Sequence, residues 1–265
     1  MQSKFYYFFF LIWIFYSCPA TLWASADLGV HVGATSGENL TYNIHWMGIP
    51  AGQAGIRLEQ KNDHEYFIYA FLESIGVVKL LHPIHDILQA SGFRKEAYWL
   101  SCQYVKIQEK KAKEKRTEHK FLRQEFAVEK RINQEPPERM EMVDERVNDP
   151  LTAIFILRSM PQLQSGQIIQ LPLLDGAKFY NAKIKVGTAE NLFTPMGWFK
   201  AFPIEIAVEN SELFRHDGAL TIWLTFDERR LPLRVQTQYK MTPVVADLTH
   251  YIDGRGGSGQ ILEKR

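Results

Sequence analysis

The chain has 265 residues with 31 basic and 30 acidic side chains, 46% hydrophobic and 13% aromatic content, and two cysteines. The balanced charge excludes a general nucleic-acid binder, which needs a basic surplus to displace counterions. The length allows one sizeable core, and an all-β domain can use all of it.

The N-terminus reads as an export leader. Lys4 precedes Phe5 to Tyr16, an uncharged apolar run of 12 residues, and Ala24-Ser25-Ala26 offers small residues at −3 and −1, so cleavage is expected after Ala26. A retained anchor is the weaker reading, because a helix of that length spans ~18 Å against ~30 Å of hydrocarbon. Lipidation at Cys18 is weaker too, since an aromatic stands where a small aliphatic belongs and Pro19 follows. Cleavage leaves 239 residues for the exported chain and removes one basic and no acidic side chain. No other span long enough to cross a membrane is expected. Cys102 then has no intramolecular partner, and its setting in Tyr98-Trp99-Leu100-Ser101-Cys102 suits a buried, inert thiol better than a nucleophile.

Strands follow in order. Leu40, Tyr42, Ile44 and Trp46 alternate with polar residues, Met47 to Gly52 turns, and Ala54 to Gln60 returns. Tyr66 to Leu72 is apolar on both faces and predicts a covered central strand. Gly76 to Asp86 reads as irregular, with Pro83 keeping His82 out of a helix, and leads into a strand at Ile87 to Phe93. Tyr98 to Ile107 is the next strand. EKKAKEKR at 109–116, net +3, is read as a solvated hairpin tip rather than a basic patch for lipid, glycan or nucleic acid. A strand resumes from Thr117 to Ile132 and ends before Pro136-Pro137.

One helix interrupts them. Asp149 suits the N-cap, Pro150 the first turn, and Leu151 to Met160 is apolar almost all round until Pro161. Such a helix is buried, either plugging the curved sheet or simply connecting its parts. Ala182 to Val186, Ile204 to Val208, Leu220 to Phe226, Leu231 to Val235 and Val244 to His250 supply further strands, and Thr194 to Gly197 is a turn. The expected fold is all-β, an antiparallel meander forming a half-open or closed barrel with one buried helix near 149–160. The single domain covers 27–252, and 253–265 is a Gly/Ser-rich flexible tail.

Chemistry-bearing motifs are few. His82-x-x-His85-Asp86 has no third ligand at a recognisable spacing, so neither a metal nor a cofactor is expected. HExxH, GxSxG and P-loop patterns are absent, and no catalytic residue is assigned. Asp175-Gly176 and Asp227-Glu228 read as turns. The aromatic second half offers a different possibility: Trp198, Phe202 and Trp223, with Asp86 and Asp175, are the candidate ligand-binding residues of a concave face.

Several stretches in order resemble a known family: Gly37-Glu38-x-Leu40-x-Tyr42, Gly48-Ile49-Pro50-Ala51-Gly52, Asn148 to Ala153, Leu171 to Gly176, Thr194-Pro195-Met196-Gly197 and Leu220 to Thr225. They are similar to the bacterial exported family DUF3108, over about Gly37 to Leu248. The resemblance implies a periplasmic antiparallel β-protein, an open barrel like that of YmcC-type capsule-export lipoproteins, and no catalytic residues. Where the family pattern has Tyr-Pro-Val-Arg-Asp, this chain has His82-Pro83-Ile84-His85-Asp86, so only Pro83 and Asp86 match by identity. The leading expectation is a non-catalytic envelope protein binding a lipidic, glycan or protein partner. The alternatives are a hydrolase of envelope polymer using Asp86, Asp175 or Asp227, and a docking subunit of an envelope assembly.

Overall fold

The computed structural model describes residues 33–95, 98–110, 113–207, 220–239 and 242–254. The leader reading, the tail beyond Gly254 and part of the 109–116 hairpin tip lie outside them. Fifteen strands among the described residues form one antiparallel sheet. They are β1 (Asn39–Trp46), β2 (Ile49–Gln60), β3 (Glu65–Ser74), β4 (His85–Lys95), β5 (Tyr98–Lys110), β6 (Lys113–Leu122), β7 (Ala127–Ile132) and β8 (Glu138–Glu141), then β9 (Ile168–Asp175), β10 (Lys178–Val186), β11 (Glu190–Thr194), β12 (Gly197–Ala207), β13 (Leu220–Thr225), β14 (Pro232–Tyr239) and β15 (Thr242–Ile252).

Two meanders share a seam. The first runs outward from β1 to β8, and the second returns from β9 to β15, which pairs with β1. The edges are therefore β8 and β9, and the barrel stays open rather than closing. Asn148, in the crossover between them, makes a parallel bridge to Leu173 on β9, its backbone bonded to Pro172 and Leu174.

The crossover helix α2 (Pro150–Ser159) packs against both meanders. Leu151 and Phe155, one turn apart, enter the core formed by Tyr66, Ile68, Trp99, Tyr104 and Phe121. Ala153 and Leu157 point the other way, into the core of Ile184, Ile204, Ile222 and Leu224. A helix that buries opposite faces against both meanders must lie inside the bend between them, so α2 is a plug rather than a simple connection. Trp99 locks it in place, packing on Tyr66 and Phe155 and donating its indole N–H to Ser159 Oγ at 2.9 Å. Leu40, Tyr42, Leu231, Leu233 and Leu248 build a third core at the seam.

Four local expectations need correction. Gly76–Leu81 is not irregular but a short helix, α1, entered through Gly76 at φ +57°. The turn after β1 takes only Met47 and Gly48, both at positive φ as a two-residue hairpin requires, so β2 begins at Ile49. β3 is covered on one face only: Tyr66, Ile68 and Ala70 are buried while Phe67, Tyr69 and Phe71 are partly open. The strand expected from Thr117 to Ile132 breaks at Arg123–Glu125, a 3-10 turn closed by Phe126 at φ +50°. The break lets the chain reverse from β6 into β7.

Candidate functional site

Fully buried polar residues gather at the start of α2. Asp149 Oδ1 accepts the backbone N–H groups of Leu151 and Thr152 at 2.9 and 2.8 Å. Its Oδ2 accepts the hydroxyls of Ser101 and Thr152 at 2.6 and 2.7 Å. Burial pushes the Asp149 carboxyl up, and these four bonds oppose the shift. Arg123 donates to the Ser101 and Glu145 carbonyls and sits over the Phe121 ring. Every carboxylate oxygen is engaged, so this network holds the helix entry and leaves nothing to a ligand.

A second group lines the inner face. Register places Tyr104, His119 and Lys130 side by side across β5, β6 and β7. The His119 ring is buried and stacks on Tyr104, centroids 6.0 Å apart. Its Nε2 lies 2.6 Å from the Gly176 carbonyl oxygen. A carbonyl only accepts, so Nε2 carries the proton and Nδ1 is a buried acceptor with no protein partner. Burial lowers the His119 pKa and Lys130 adds to that, while the bond to Gly176 opposes it. Burial also raises the Tyr104 hydroxyl, helped by the carboxylates of Asp149, Asp175 and Asp86. Asp86, on the strand beside that of Tyr104, and Asp175, on β9 with eight strands between it and β4 in the sheet order, thus act on one tyrosine. Asp86 accepts from Gln108 Nε2 at 2.9 Å, and Asp175 is buried at the end of β9.

Two of the three aromatic candidates, Trp198 and Phe202, share one face elsewhere, and Trp223 lies on the other. Trp198 is 71% exposed and faces Phe193, its register partner across the β11–β12 hairpin, with ring centroids 5.2 Å apart. Phe202 stacks on the exposed Phe226 at 5.0 Å, and Lys200 Nζ stands 4.4 Å over the Phe226 ring. Trp223 donates its indole N–H to Glu190 Oε1 at 2.7 Å. Trp198, Lys200 and Phe202 share one parity on β12. The result is an aromatic belt of Phe193, Trp198, Phe202 and Phe226 with Lys200 beside it, carried by paired strands and therefore rigid, while Trp223 and Glu190, in register with Pro203 and Ala201, lie on the other face.

The remaining motifs are structural. Asp227 takes the Thr225 hydroxyl at 2.5 Å and pairs with Arg229, as hairpin-turn chemistry. His82 caps α1 and His85 opens β4. Among the described residues no three His, Cys, Asp or Glu side chains gather to hold a metal. Burial raises the pKa of Cys102, which is half-buried. His119 was not visible as a site in sequence. Its alternation with Phe121 signals an inward ring, but only the β9–β10 turn makes that ring noteworthy.

Comparison with known proteins agrees with this architecture. The family model for DUF3108, a protein of unknown function, matches residues 41–249. No curated protein matches. A beta-barrel-like protein of the domain of unknown function DUF1849 from Brucella abortus is similar over 84% of this chain and all of its own, at 10% identity and a TM-score of 0.55. A protein from Bacteroides fragilis described as exported and YmcC-like in fold covers 83% of this chain and 98% of its own, at 12% identity and a TM-score of 0.30. One from Parabacteroides distasonis described as a lipoprotein covers 85% and 100%, at 8% identity and a TM-score of 0.34.

Proposed function

The chain belongs to the DUF3108 family of proteins of unknown function, and on that premise we propose that it is a non-catalytic periplasmic protein that binds a glycan of the envelope. Export rests on the leader pattern of residues 1–26. The binding surface is the aromatic belt of β11 to β13, because α2 and two cores occupy the inside of the bend.

One observation carries this reading: a Trp and a Phe paired across a hairpin, both more than half exposed, with Phe226 and a lysine beside them. Exposed aromatics held rigid cost little entropy on binding and mark contact surfaces. Flat rings suit the apolar C–H face of a sugar, and Lys200 beside them suits its hydroxyls. The carboxylates lend the hydrolase alternative less support, since Asp86 and Asp227 are committed to Gln108, Thr225 and Arg229.

Titration of the protein with envelope oligosaccharides, followed by tryptophan fluorescence, tests the proposal. Trp198→Ala is expected to weaken binding about tenfold or more. Unchanged affinity in that variant, or no binding by the native chain, would refute it.

A further inference from the structure

At the end of the sheet that carries the Met47-Gly48 turn, apolar side chains face solvent together. Met47, Ile49, Val77, Leu80 and Leu81 are each between 59% and 84% exposed. Helix α1 buries none of its residues, although its sequence is GVVKLL. It is not loosely attached: Ile75 donates to the Ala51 carbonyl at 2.9 Å, and Ser74 N–H donates to the Ile84 carbonyl at 3.0 Å, which closes the loop that carries α1. Met47 is held at φ +54°, a conformation that disfavours a side chain, and it still presents a thioether to water. A folded chain gains nothing from this arrangement unless something covers it.

Charge lies beside it. Asp86 pairs in register with Gln108, so β5 and β6 run past the start of β4 and their hairpin projects from the same end as α1. Lys113 and Lys115 are exposed there. In sequence the hairpin 109–116 carries five basic and two acidic side chains. Lys79 adds a further cation on α1, while Glu73 stands at the end of β3. We propose that this end of the sheet docks on an anionic lipid surface, α1 and the Met47 turn entering the headgroup layer and the basic hairpin meeting lipid phosphate. Apolar side chains projecting next to lysines are the combination that an anionic bilayer interface takes up. A second copy fits less well, because a two-fold contact through this end would bring like-charged hairpins together. The inference is independent of glycan binding, which uses another part of the sheet.

Co-sedimentation of the full chain with vesicles tests it, using phosphatidylcholine alone and phosphatidylcholine mixed with phosphatidylglycerol. Wild type and variants share one N-terminus, so any contribution from residues 1–32 is common to all. The expected result is that L80E/L81E lowers partitioning onto mixed vesicles about tenfold or more. K113E/K115E should lower it on mixed vesicles only, with the loss shrinking as salt rises. Both variants should keep the native unfolding midpoint, because neither pair is buried. Equal sedimentation of wild type and L80E/L81E would overturn the proposal. So would a wild-type dimer that L80E/L81E splits while vesicles bind neither form.

Discussion

Arg158 and Glu38 lie 120 residues apart and meet in a fully buried, two-pronged ion pair, Nη1 to Oε1 at 2.6 Å and Nη2 to Oε2 at 2.9 Å. Burial alone would lower the Arg158 pKa, but the Glu38 carboxylate beside it holds it raised. The guanidinium also donates to the Arg230 and Arg229 carbonyls at 3.1 and 3.3 Å. The end of α2 is thereby tied to the start of β1 and to the β13–β14 turn. Glu38→Ala should cost about 3–5 kcal/mol in urea unfolding, because it strands a buried cation. Glu38→Leu combined with Arg158→Met should recover much of that loss, since an apolar pair leaves no charge behind.

The cap of α2 gives a separable prediction. Asp149→Ala removes the acceptor of two backbone N–H groups and two hydroxyls at once. The expected loss is roughly 3 kcal/mol, more than an exposed cap would give, because the orphaned donors are buried. Asp149→Asn should lose less, and chemical denaturation of both variants measures the difference.

His119 should make the fold acid-sensitive. Its folded pKa is lowered, so between that value and the ordinary imidazole value of about 6.5 the unfolded chain binds more protons than the native one. The stabilising effect of the neutral ring is full above about 6.5 and declines as pH falls through that window. His119→Gln should flatten this part of the stability profile. Thermal unfolding between pH 7.5 and 4.5 (~3 units, spanning the imidazole range) shows whether the two profiles diverge.

Trp198→Ala should change stability by no more than about 0.5 kcal/mol, the usual range for a surface side chain. Trp223→Phe should act differently, since on the other face it leaves Glu190 without the indole N–H and puts a smaller phenyl ring against the third core. It should leave binding at the belt unchanged while lowering the unfolding midpoint slightly, which titration and thermal melts on the same samples resolve.

Alternation in Leu40 to Trp46, Ala182 to Val186 and Leu220 to Val235 was enough to determine antiparallel strands, because side chains two apart must share a face. Asp149, Pro150 and the apolar run after them determined α2 in the same local way. No local pattern reports which face of one meander meets the other. That Phe155 and Leu157 enter different cores was decided by the curl of the sheet around α2. The same curl sets the β9–β10 turn over His119 and brings the charge of Asp175 to Tyr104. The helical form of Gly76–Leu81, with nothing buried, escapes periodicity altogether, because a face without a core to match carries no hydrophobic signal.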